Sequence, residues 1–141
     1  MMTWKEENLK RLDEFSKFKF GWFSDEEGEP IPAEVIEYSK SIIESFYDYT
    51  RLYVFPISYG GIQIETIDDK ELGYLEIEIS ISDKLEISTS FFFVSYLDDE
   101  FTFSKDIDPS DVHDVIHKYF NGKLLSNISQ YKDFETRNRI M

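Results

Sequence analysis

Tyr74-Leu75-Glu76-Ile77-Glu78-Ile79-Ser80-Ile81-Ser82 alternates without a break. Leu75, Ile77, Ile79 and Ile81 fall on one side, and Tyr74, Glu76, Glu78 and Ser80 on the other. A period of two marks a strand with one face in a core and the other toward water. The flanking segments 52–59, 62–67, 85–96 and 100–104 are rich in Ile, Tyr, Phe and Thr and read as further strands. The connections are too short for crossovers, so neighbouring strands are antiparallel. Gly60-Gly61 predicts a two-residue hairpin turn that pairs Tyr59 with Ile62 and Ile57 with Ile64. Phe55, Ile57, Tyr59, Ile62 and Ile64 then share the apolar face. A three-residue loop, Ser82-Asp83-Lys84, keeps Leu85, Ile87, Thr89 and Phe91 on that face as well.

Outside the strands the period changes. Thr3 and Glu6 form a capping box for a helix over 4–19, with Leu9, Leu12, Phe15 and Phe18 as its stripe and Gly21 as its stop. A loop containing Pro30 and Pro32 leads into a second helix over 33–49, where Val35, Ile36, Ile42, Ile43, Phe46 and Tyr49 make a broad apolar face. Asp108-Pro109-Ser110-Asp111 starts a third helix, on which Val112, Val115, Ile116, Tyr119 and Phe120 align, and Asn121-Gly122 ends it. Leu124, Ile128 and Tyr131 keep helical spacing in a docking or frayed tail over 123–141. The expectation is one α+β domain over 1–141, of order ααβββββα. An antiparallel four- to five-stranded sheet carries the N-terminal helix pair and the C-terminal helix on one face. No βαβ alternation is present, which argues against a doubly wound nucleotide-binding fold.

The 141 residues suffice for one core, and 13 Phe with 9 Tyr can fill it. There is no cysteine, so disulfides, thiol nucleophiles and cysteine zinc sites are excluded. No apolar run approaches membrane-spanning length and no export signal is visible, so the cytoplasm is the expected compartment. The formal net charge is −14. Residues 21–104 hold 19 acids against four bases, while the two ends are nearly balanced. Such a charge repels nucleic acid and anionic membranes and favours a basic protein surface.

On the outward sheet face the predicted registers bring together Gln63, Glu65, Glu76, Glu78, Ser80, Glu86, Ser88 and Ser90, with Glu65 opposite Glu76 and Gln63 opposite Glu78. Like charges directly opposite destabilise a sheet, so the arrangement suggests a bound cation, paired carboxylates or a basic partner. The alternative is a solvated face with splayed side chains. His113 and His117 stand at i, i+4, a metal-capable spacing without an evident third ligand. Asp25, Glu26 and Glu27 lie in an acidic, glycine-containing loop that lacks the alternating spacing of a calcium site. In 91–96, Phe91, Phe93 and Ser95 take the core side, so Phe92, Val94 and Tyr96 face the other way. A turn at Asp98-Asp99 would set Phe101 opposite Tyr96 and Phe103 opposite Val94. That five-residue apolar patch is expected to be covered by a second copy in a homodimer, or by the tail.

Gly21-Trp22, Pro30-Ile31, Gly60-Gly61-Ile62-Gln63-Ile64-Glu65 and Leu75-Glu76-Ile77-Glu78-Ile79 resemble a group of small bacterial proteins. In that group a "GWD-G-PI" segment precedes a helix and is followed by "GGIQLEW" and "LEIEI". The resemblance covers about residues 20–80 and departs from the pattern at Phe23, where the group favours Asp, and at Thr66, where it favours Trp. It implies a shared α+β core and carries no catalytic residue across. No residue is assigned to catalysis, to a metal or to a cofactor. The expected function is a small acidic, non-enzymatic binding protein of the antitoxin, immunity or anti-defence inhibitor type, able to imitate nucleic-acid charge. Its acidic face comprises Glu65, Glu76, Glu78, Glu86, Asp25, Glu26 and Glu27. The alternatives are a secretion-type chaperone and a metal-dependent or small-ligand-binding protein built on the glutamate face.

Overall fold

The computed structural model describes residues 2–46, 50–67, 73–95 and 102–119. Two helices, a five-stranded antiparallel sheet and a short third helix follow one another along the chain, the expected α+β architecture. Helix α1 runs Trp4–Phe15, and the Thr3 hydroxyl caps it by accepting the Glu6 N–H at 3.1 Å. It stops short of the predicted residue 19. Lys17 and Phe18 donate instead to Glu14 and Phe15 carbonyls, three residues back, which tightens the last turn. Helix α2, Ala33–Glu44, buries Val35, Ile36, Ser39, Ile42 and Ile43. Residues 47–49, including Tyr49 of the predicted helix, lie outside the described residues.

The strands are β1 Arg51–Ile57, β2 Gly61–Ile67, β3 Gly73–Ile81, β4 Ile87–Ser95 and β5 Thr102–Ile107, paired in sequence order. On the inner face Leu52, Val54, Ile62, Ile64, Leu75, Ile77, Ile79, Phe91 and Phe93 are buried together with Leu12, Val35, Ile36, Ile42, Ile43 and Phe46 of the helical side. Each such side chain removed from water stabilises the fold by roughly 1.5–3 kcal/mol before entropy is counted. Beyond β5, Asp108 accepts the Ser110 N–H, and Pro109–Asp111 forms a 3₁₀ turn. Helix α3, Val112–Tyr119, therefore begins later than its cap suggests, and it buries Val112, Val115 and Ile116. The Tyr38 hydroxyl donates to the Pro109 carbonyl at 2.8 Å, tying α2 to this turn. No helix among the described residues is long and apolar enough to cross a membrane.

Four registers decide which side chains reach the outer face. The β2–β3 pairing is the predicted one, with Glu65 opposite Glu76 and Gln63 opposite Glu78. The β1–β2 pairing is not: Val54, rather than Ile57, faces Ile64, and Phe55 faces Gln63. An odd shift exchanges the faces of a strand. Leu52 and Val54 enter the core, Tyr53 and Phe55 turn outward, and Tyr59 sits exposed in the turn. The cause is a three-residue connection, Ser58-Tyr59-Gly60. Gly60 adopts φ +94° and donates its N–H to the Ile57 carbonyl at 2.9 Å, leaving Gly61 to begin β2.

Between β3 and β4 the strands part at Ile81 and rejoin at Ile87, which face each other. The turn is longer than three residues and shifts the pairing by two, which sets Phe91 rather than Thr89 opposite Ile77 but keeps Ile87, Thr89 and Phe91 on the predicted face. Leu85 is displaced from the expected core position to the turn, at φ +62° and 85% exposed, and Glu86 leaves the strand face with it. Between β4 and β5, Val94 pairs with Thr102, and Phe103 pairs with Phe93. Phe103 is thus out of phase with Val94, contrary to expectation. That register keeps 103 in step with buried Phe93 rather than with the outer face. Tyr96, Phe101, the Asp98-Asp99 turn, Phe120 and the tail over 123–141 lie outside the described residues.

Candidate functional site

The outer face of the sheet is a set of stripes. Tyr53 and Phe55 of β1 stand opposite Glu65 and Gln63 of β2. Next come Tyr74, Glu76, Glu78 and Ser80 of β3, then Ser88, Ser90 and Phe92 of β4, and Asp106 of β5 opposite Ser90. The helices pack against the opposite face and against the β1 edge. From α1 only the rim is reached: Trp4 meets the Tyr53 ring edge-on at 5.2 Å, and the Arg11 guanidinium lies 5.9 Å from the Phe55 ring centre. Tyr53 and Phe55 keep 39% and 37% of their surface exposed, and Phe92 keeps 37%.

Glu65, Glu76 and Glu78 are half-buried on this face rather than splayed into water. Their neutral neighbours supply the hydrogen bonds. Gln63 Nε2 donates to Glu65 Oε1 at 2.8 Å, the Tyr74 hydroxyl donates to Glu76, and Ser90 Oγ donates to Asp106 at 2.7 Å. Desolvation, followed by the hydrogen bond to Glu76 and the charge of Glu65, holds the Tyr74 phenol well above the ordinary tyrosine range. Glu78, flanked by Gln63 and Ser90, receives no hydrogen bond among the described residues. Strands β2, β3 and β4 contain no lysine or arginine.

Glu65, Glu76 and Glu78 are therefore brought together as the sequence implies, and Glu86 is not. The Asp25, Glu26 and Glu27 loop is no part of this face: it lies outside the sheet strands and turns back on itself, the Phe23 and Ser24 N–H groups donating to the Glu27 carbonyl. It closes on the β1–β2 turn. The Gly21 N–H donates to Gly28, the Glu29 N–H donates to Ser58 at 2.7 Å, and Trp22 Nε1 donates to Glu29 at 2.7 Å. Gly21, Trp22, Gly28, Pro30 and Gly60 thus meet at one end of the molecule in a structural clasp. A Cβ on Gly28 would lie 2.6 Å from the Phe23 nitrogen, and one on Gly60 would lie 3.1 Å from the Pro30 oxygen.

Of the proposed apolar patch, Phe92 is outward and exposed, Val94 holds an outward register position, and Phe103 does not. His113 and His117 lie on α3, one turn apart. Among the described residues no three imidazoles or carboxylates converge closely enough to hold a metal ion. Sequence reasoning missed Tyr53, Phe55 and Asp106. The first two were hidden by the β1 register, and Asp106 by Ser104-Lys105-Asp106, which has no apolar alternation to extend β5. What the face can do chemically is attract and hold cations at half-desolvated carboxylates, with aromatic rings at its margins. Comparison with protein-family models, curated proteins and solved structures yields no match.

Proposed function

We propose that this chain is a non-enzymatic binding protein that uses the outer face of its sheet to occupy a basic surface on a protein partner, as an inhibitor of the antitoxin, immunity or anti-defence type does. The observation that carries the reading is the half-buried set Glu65, Glu76 and Glu78, held side by side at a cost in repulsion with no cationic residue on their strands. A solvated face gains nothing from that arrangement, whereas a basic partner converts the repulsion into attraction and steers its own approach. The test is affinity capture from cells that express the protein, run in parallel with Glu65→Lys, Glu76→Lys, Glu78→Lys. The partner is expected to bind the unaltered chain, to elute as salt is raised and to be lost from the triple variant. Undiminished capture by the triple variant would place the interface elsewhere.

A further inference from the structure

On the outer face a depression of 160 Å³ is lined by Gln63, Glu76, Glu78, Ser90 and Phe92, with the Phe91 strand position as part of its floor. Its walls differ in kind. Glu76 and Glu78 lie along β3, and Phe92 rises from β4 directly opposite Glu76, with Ser90 opposite Glu78. Three donors around it are engaged with other carboxylates: Gln63 with Glu65, Tyr74 with Glu76 and Ser90 with Asp106. The depression therefore presents acceptors beside an exposed ring, and its Glu78 carboxylate receives no hydrogen bond among the described residues.

We infer that this depression takes one arginine side chain of the basic partner as the anchor of the interface. The inference rests on the proposed binding of a basic protein surface and specifies how it is read. A guanidinium is planar, brings five N–H donors in a fixed fork and stacks on an aromatic face, so one group meets the Glu76 and Glu78 carboxylates and the Phe92 ring together. A lysine ammonium is a compact, strongly hydrated charge that pairs with the carboxylates but gains less from the ring. A calcium ion takes six to eight oxygen ligands, usually from a loop that wraps it, more than two carboxylates on alternate positions of one strand supply.

The full-length protein is titrated with two acetylated, amidated peptides, (Arg-Gly)3 and (Lys-Gly)3, by calorimetry and by amide chemical-shift mapping. The arginine peptide is expected to bind roughly two- to fivefold more tightly than the lysine peptide. Its largest shifts are expected at Gln63, Glu76, Glu78, Ser90 and Phe92. Phe92→Leu should abolish the preference and Phe92→Tyr should keep it, while Glu78→Gln should weaken both peptides. Thermal melts of each variant confirm that it is folded. Equal binding of the two peptides, unaffected by Phe92→Leu, would overturn the arginine anchor and leave the basic-partner reading standing. Failure of both peptides to bind at low salt would overturn that reading too.

Discussion

The side-chain oxygen of Asn8 accepts the backbone N–H of Val54 at 3.0 Å, across 46 residues of sequence. Its amide nitrogen donates to the Leu52 carbonyl at 2.8 Å and to the Trp4 carbonyl at 2.7 Å. One primary amide thus does what a peptide unit of a sixth strand would do, and α1 closes the edge that β1 would otherwise leave open. Asn8 is 2% exposed, so this side chain reaches its partners without water.

Asn8→Ala removes all three bonds and leaves the Val54 N–H and the Leu52 carbonyl of the β1 edge without this partner. A loss of roughly 2–4 kcal/mol in equilibrium unfolding is expected. Asn8→Asp keeps the acceptor for Val54 but sets a carboxylate against the Leu52 and Trp4 carbonyls, and it should be at least as damaging at neutral pH. A loss below about 0.5 kcal/mol for Asn8→Ala, the range of an ordinary surface change, would show that α1 does not depend on this contact.

Gly28 stands at φ +118°, where a side chain is strained, and its missing Cβ leaves room for the Phe23 and Trp22 backbone. Gly28→Ala should destabilise the protein by more than about 1 kcal/mol and alter Trp22 fluorescence, because the clasp between the α1–α2 loop and the β1–β2 turn must open. Gly60→Ala, at φ +94°, should act in the same direction. Unchanged stability and fluorescence in both would mean that the clasp is not a load on the fold.

Tyrosine ionisation is expected to lower stability in alkali. Burial, with Asp108 adding to it, pushes the Tyr38 hydroxyl up to about 12, and Tyr74 is raised as well. Both folded values exceed the unfolded one, so the stability they confer is present below pH 10 and is lost as pH rises through the folded values. Unfolding free energy should fall between about pH 10 and about pH 12, and two tyrosinates should appear late in an ultraviolet titration. Tyr38→Phe with Tyr74→Phe should flatten that decline. An equally steep decline in the double variant would assign the alkaline limit to other groups.

Much of this architecture is legible in the sequence because Leu75, Ile77, Ile79 and Ile81 alternate with polar residues, which fixes β3 and, through Ile62 and Ile64, its partner β2. The glutamate cluster follows from that single register. Strand β1 is different: Leu52, Tyr53, Val54, Phe55 and Ile57 offer apolar groups to both faces, so only the turn could choose, and Gly60-Gly61 suits a two- or a three-residue connection. The structure uses the three-residue form, which sends Tyr53 and Phe55 to the outer face. Asn8 carries no sequence signal, since a polar residue beside the Leu9–Leu12 stripe reads as surface until the strand edge it covers is known.

If the glutamates are kept for binding rather than folding, neutralising them should stabilise the free protein. Glu65→Gln, Glu76→Gln, Glu78→Gln is expected to raise the unfolding free energy by roughly 0.5–2 kcal/mol at low salt, with the gain shrinking as salt is added. A loss of stability would mean that the carboxylates serve the fold through their bonds to Gln63 and Tyr74.

The affinity of the captured partner across a salt series, for the unaltered chain and for Glu76→Lys with Glu78→Lys, tests the central claim most directly. Binding should weaken steadily as ionic strength rises from about 50 mM to about 500 mM, where the screening length drops to a few ångströms. The reversed variant should bind at least about tenfold less tightly at the low end. Affinity that is independent of salt and indifferent to the reversal would contradict a basic partner on the glutamate face.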